Sequence, residues 1–94
     1  MASHPSVKYS WNVDGELIIL ESAHDHGVSD EDIFHALRHE HHHAVQDDGM
    51  VMFIGPDYSG TLIEVGLVEW WGMIAVPHAM CPAREKYLRQ GRGA

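Results

Sequence analysis

Met73-Ile74-Ala75-Val76-Pro77-His78-Ala79-Met80, continuing through Cys81-Pro82 into Ala83-Arg84-Glu85-Lys86-Tyr87-Leu88-Arg89, is the stretch on which the fold turns. It reads as a last strand that ends on a histidine, breaks at a proline and restarts as a short basic helix. His78 shares its parity with Ile74, Val76 and Met80, which sets an ionisable ring in line with an apolar face. Pro77 has no N–H, so the strand lies at a sheet edge or is bulged there; a bulge would re-aim His78 from the core toward an open surface. The plainer alternative for His78 is a packed ring with a satisfied nitrogen. Positive charge gathers in the same place, since Arg84, Lys86, Arg89 and Arg92 are four of only six Lys and Arg residues. A histidine beside a basic helix is the minimum needed to handle a phosphate.

Working outward, residues 1–69 carry thirteen acids against Lys8 and Arg38, a balance of −11, while residues 70–94 set Glu85 against four bases, a balance of +3. The net charge of −8 argues against a general nucleic-acid coat, because affinity for a polyanion rests on neutralised phosphates. A local cationic end can still meet RNA or an acidic partner. A hydrophobic fraction of 45% with 21% charged residues fits one small globular domain. Cys81 is the only cysteine, so no internal disulfide framework exists and a reducing cytoplasm is the expected setting. The start, Met-Ala-Ser-His-Pro, lacks the pattern of a signal peptide, and no apolar run reaches the length of a membrane span.

Residues 1–15 are expected to be a flexible arm, with residues 16–94 forming a single α+β domain. Leu17, Leu20, Ala23 and His24 have helical spacing, and Gly27 suits a C′ position. The apolar run Leu17 to Leu20 also fits a short strand. Ser29-Asp30-Glu31-Asp32 is a strong helix start, with Ile33, Ala36 and Leu37 as the buried stripe and an end near Glu40. From Ala44 the period changes: Asp47-Asp48-Gly49 signals a hairpin, Met50 to Ile54 is a continuous apolar run, and Thr61 to Glu69 alternates. The alternation puts Ile63, Val65 and Leu67 on one side and Glu64 and Gly66 on the other. Trp70-Trp71-Gly72 makes the next turn, with one indole expected in the core and one outside. These segments predict two N-terminal helices, an antiparallel four-stranded meander and a short C-terminal helix.

Three groups of residues invite a chemical reading. His35, His39 and His43 fall at i, i+4 and i+8, with His41 and His42 beside them, and imidazoles so spaced on a helix suit a transition metal. No cysteine pair or HExxH frame completes a site, and a solvent-facing helix end that complements the dipole is the plainer reading. His78 and Cys81 are spaced like half a metal site without its other half. Residues 23–37 have the spacing of a helix-turn-helix, but Asp30, Glu31 and Asp32 stand where a recognition helix meets phosphates, so no DNA binding is expected.

Taken together, Gly27-Val28-Ser29-Asp30-Glu31-Asp32-Ile33, Ile54-Gly55-Pro56-Asp57, Leu62-Ile63-Glu64-Val65 and His78-Ala79-Met80 with Arg84-Glu85-Lys86-Tyr87 resemble the small actinobacterial relatives of the BrnT toxins, within the RelE/ParE-like superfamily. The resemblance covers about residues 16–90. It implies the toxin of a type II toxin–antitoxin pair, a ribonuclease needing no cofactor and held inactive by an antitoxin protein. The matched site positions are His78, Arg84, Lys86 and Tyr87. Implied roles are acid or base for His78, a phosphate clamp for Arg84 with charge from Lys86, and a proton or a stacking ring from Tyr87. Two departures are acidity everywhere except the end, and Pro77 and Cys81-Pro82 inside the closing motif. An inactive module that keeps only the partner-binding surface, and a histidine-rich metal-binding protein, are the alternatives. On the ribonuclease reading, Arg84→Ala is expected to cost activity far more than stability.

Overall fold

The computed structural model describes residues 17–90; the expected arm at 1–15 and Arg92 lie outside them. Five strands form one sheet: β1 (Leu17–Ile19), β2 (His42–Val45), β3 (Val51–Pro56), β4 (Leu62–Trp70) and β5 (Met73–Met80). A 3-10 helix (Glu21–His24) and α1 (Asp30–Arg38) lie between β1 and β2, and α2 (Glu85–Gln90) follows β5. Strand order is β1-β5-β4-β3-β2. The pairs from β2 to β5 are antiparallel, whereas β1 runs parallel to β5 through Leu17↔Ile74, Ile18↔Ala75 and Ile19↔Val76.

This corrects the expected architecture: among the described residues the sheet has five strands and is mixed, and α1 is not preceded by a second α-helix. The segment expected to be the first helix is divided between β1 and a single 3-10 turn. Leu17 and Ile19 alternate onto the core, Leu20 N–H donates to Val76 O at 2.9 Å, and of the following turn only Ala23 is buried. The β-branched pair Ile18-Ile19 gains more from lining an open sheet edge than from a helix too short to bury its stripe. Because that first element is not an α-helix, the spacing at 23–37 does not describe a pair of helices either.

α1 forms as its start dictates. Ser29 Oγ accepts the Asp32 N–H at 3.2 Å, Ser29 O accepts from Ile33 N at 3.0 Å, and Asp30, Glu31 and Asp32 occupy the positive end of the dipole. Ile33, Ala36 and Leu37 are buried against Phe53, Ile63, Val65, Leu67, Ile74, Val76 and Ala79. Gly55 admits the helix, since a Cβ there would collide with the Ala36 carbonyl. The helix ends at Arg38, two residues before the expected Glu40. His39 leaves helical geometry, and His41 N–H is taken by Ile54 O at 2.7 Å as the chain enters β2.

The sheet is not bare on its other side. Met52, Ile54, Glu64 and Ala75 lie on the second face and are all buried. α2 crosses this face at β2 and β3, where His42 Nε2 donates to Tyr87 O at 3.0 Å. The β4–β5 turn is a two-residue hairpin, Trp71-Gly72, with φ of +54° and +78°. Trp70 and Trp71 are both exposed, at 47% and 88%, so neither covers the core.

Candidate functional site

The site begins with the irregularity at Pro77. Gly66 pairs with His78 and Val68 with Ala75, so β5 spends one more residue than β4 across this interval. That extra residue reverses the parity. Ile74 and Val76 stay on the core face with Ala79, while His78 moves to the second face beside Gly66. On the same face of β4, a diagonal step away, stands Glu64.

Glu64 has no exposed surface, yet its carboxylate is fully engaged. Oε1 accepts the Arg84 backbone N–H at 2.7 Å and Arg84 Nε at 3.2 Å. Oε2 accepts Arg84 Nη2 at 2.6 Å, Arg84 Nε at 3.1 Å and His78 Nε2 at 2.8 Å. Burial pushes this carboxyl up, but the bonds from the Arg84 side chain, the Arg84 N–H and the His78 ring together outweigh it and hold it below the usual carboxylate range. The chain reaches this position because Ala83 N–H bonds Leu62 O at 2.8 Å, which lays residues 83–84 alongside β4.

An ionised carboxylate can only accept, so His78 Nε2 must carry the proton. In the neutral ring the lone pair is then on Nδ1, which meets no hydrogen-bond partner among the described residues. The His78 side chain is 23% exposed and that of Arg84 45% exposed, so both reach solvent around a buried anion. Arg84 turns Nε and Nη2 inward and keeps Nη1 outside the pair. Hydrogen bonding to Glu64 pushes its pKa further up, so the guanidinium stays charged. Two cations lie over the Tyr87 ring, with Arg84 Cζ 5.1 Å and Lys86 Nζ 4.9 Å from its centroid. His78, Arg84, Lys86 and Tyr87 thus form one continuous cluster. A second imidazole, His26, meets the His78 ring in a T-shaped contact with centroids 5.7 Å apart.

Glu64 and His26 were not singled out from the sequence. For Glu64 a signal existed: Met50 to Ile54 is apolar without alternation, which marks a sheet covered on both faces and so an acid that must be buried and paired. For His26 there was none, because the contact joins a loop to the far end of the chain.

The other histidines part company. His35 Nδ1 donates to Pro56 O at 2.8 Å; the His39 ring, at the end of α1, is tilted 45° against His35 with centroids 4.5 Å apart; and His43 is on β2, where it bonds Glu40 at 2.9 Å and stacks on Phe53. The three do not share a helix face, since α1 ends at Arg38. Among the described residues, no three His, Cys, Asp or Glu side chains form a metal-binding group. Cys81 donates to Asp57 Oδ2 at 3.9 Å. Burial, with the charges of Asp57 and Asp32, pushes its thiol up and keeps it protonated. No helix among the described residues is long and apolar enough to cross a membrane. Comparison with protein-family models, with curated proteins and with solved structures returns no match.

Proposed function

We propose that the chain is a metal-independent ribonuclease, the cytoplasmic toxin of a toxin–antitoxin pair, and that it cleaves RNA at the surface around His78. The observation that carries this is the Glu64–His78 bond, which fixes the neutral ring as the Nε2–H tautomer and leaves Nδ1 outside the pair to act as a base. Such a ring takes the proton of a ribose 2′-OH as its oxygen attacks the adjacent phosphorus. Arg84 Nη1 and Lys86 supply positive charge to the phosphorane, and Tyr87 offers a ring on which a base stacks. The resemblance of the closing motif to toxin relatives supports RNA over other esters.

The test is cleavage of a single-stranded RNA oligonucleotide in the presence of a chelator. The products expected are a 2′,3′-cyclic phosphate and a 5′-hydroxyl, with a strand deoxy at the cleaved position left intact. His78→Gln should slow the reaction by about 100-fold or more, the usual worth of a positioned acid–base group. Parental cleavage by that variant refutes the assignment.

One observation favours a second reading. Arg84 gives two of its three nitrogens to Glu64, which leaves a weaker phosphate clamp than an unpaired guanidinium. On that reading the protein is an inactive interaction module whose basic α2 docks an acidic segment, and the wild-type chain cuts no RNA.

A further inference from the structure

We propose that His26 is the second catalytic residue of this site, a general acid that protonates the departing 5′-oxygen while His78 acts as base; this rests on the ribonuclease reading above.

The placement of His26 is built from both sides. The 3-10 turn before it is fastened to β5 by Leu20 N–H to Val76 O at 2.9 Å and by Ser22 Oγ to Pro77 O at 2.6 Å. Ala23 and Val28, on either side, are buried in the core. Gly27 then reverses the chain at φ +80°, a conformation that costs other residues energy. The exposed His26 ring is delivered into T-shaped contact with His78 next to the bulge that brings His78 to this face. Its neighbour His24 is drawn off into a contact with Asp30, so the two histidines of the loop are not equivalent.

The two imidazoles also differ in what they meet. His78 is held by a carboxylate that fixes one proton and leaves a lone pair. The His26 ring is exposed, and no hydrogen bond to it occurs among the described residues. In the reaction the 2′-oxygen forms a bond to phosphorus and its proton passes to His78 Nδ1. The P–O5′ bond breaks and the 5′-oxygen takes a proton from the His26 imidazolium. The products are a 2′,3′-cyclic phosphate and a 5′-alcohol, and exchange with water restores both rings. An imidazole interconverts its two forms near neutral pH, which suits it to either role.

The test compares two substrates: a ribodinucleotide, whose 5′-alkoxide needs a proton to leave, and a ribonucleoside 3′-(4-nitrophenyl phosphate), whose phenolate leaves without one. His26→Gln should cut the rate on the dinucleotide by about 100-fold and on the nitrophenyl ester by less than about 10-fold. His78→Gln should slow both. Equal losses on the two substrates for His26→Gln would show that the ring only positions His78, and no loss would show that it is a bystander; either overturns the inference while leaving the ribonuclease reading intact. Failure of the wild-type protein to cleave either substrate sinks the ribonuclease reading itself and this inference with it.

Discussion

Arg84 stands with its tip in water and its inner edge against a carboxylate that has no exposed surface. This changes what its removal does. Seen only as an exposed residue on a closing helix, it is expected to cost activity and little stability. With Glu64 beneath it, Arg84→Ala takes away two side-chain donors and leaves a buried anion held by His78 and one backbone N–H. We expect a loss of about 2–3 kcal/mol, below the full cost of breaking a wholly buried pair because water can enter from the Arg84 side. Urea unfolding measures this directly, and Glu64→Leu combined with Arg84→Ala should recover most of the loss by removing the orphaned charge. If the single variant unfolds at the wild-type midpoint, the pair is not what holds this corner. Activity measurements on Arg84 variants therefore need to be made well below their own unfolding midpoints.

At the scale of elements, the β4–β5 hairpin puts a bulky aromatic where the backbone does not favour one. Two-residue hairpin loops with both φ values positive select Asn-Gly or Asp-Gly, and here the first position is Trp71 at φ +54°. An L-residue with a branched or bulky side chain is disfavoured there by about 1–2 kcal/mol. The indole is 88% exposed, so packing returns little of that cost. Trp71→Asn should thus raise stability by about 1 kcal/mol, read as a higher urea midpoint at unchanged slope. A lower midpoint would mean that the indole makes a stabilising contact the turn geometry does not reveal. The opposite case is the β3–β4 loop, whose residues suit their turn. Asp57 Oδ1 accepts Ser59 N–H at 2.9 Å, Ser59 Oγ at 2.7 Å and Thr61 N–H at 3.0 Å, and Gly60 takes the left-handed position at φ +93°.

At the scale of the whole molecule, Asp57 and Glu64 are the carboxylates held low in the folded state among the described residues, at opposite ends of the segment from 57 to 64. The Ser59 hydroxyl, followed against burial by the Thr61 and Ser59 N–H groups, holds Asp57 below its ordinary range, and Glu64 is held low against burial by Arg84 and His78. A group whose folded pKa is depressed stabilises fully above its unfolded value, about 4, and loses that contribution as pH falls through the folded one. The urea midpoint should therefore drop as pH is lowered from about 5 to about 3, and Asp57→Asn with Glu64→Gln should flatten that slope; an unchanged slope would place the acid sensitivity elsewhere. The sequence by itself determined the parts whose causes are local. These are the capped start at Ser29, the hairpin turns at 47–49 and 71–72, the closing helix, and the nearness of Arg84, Lys86 and Tyr87 along the chain, to which His78 is joined only through the buried Glu64 carboxylate. Tertiary structure alone decided the rest. Leu17 to Leu20 fits a helix or a strand by its own pattern, and the edge that β5 offers selects the strand. Glu64 is buried because a second layer covers its face; the unbroken apolar run at 50–54 hints at that layer, but only the fold supplies the Arg84 and His78 partners that hold the charge there. His26 meets His78 across more than fifty residues, and a contact of that range is set by how the sheet closes and leaves no periodicity to read.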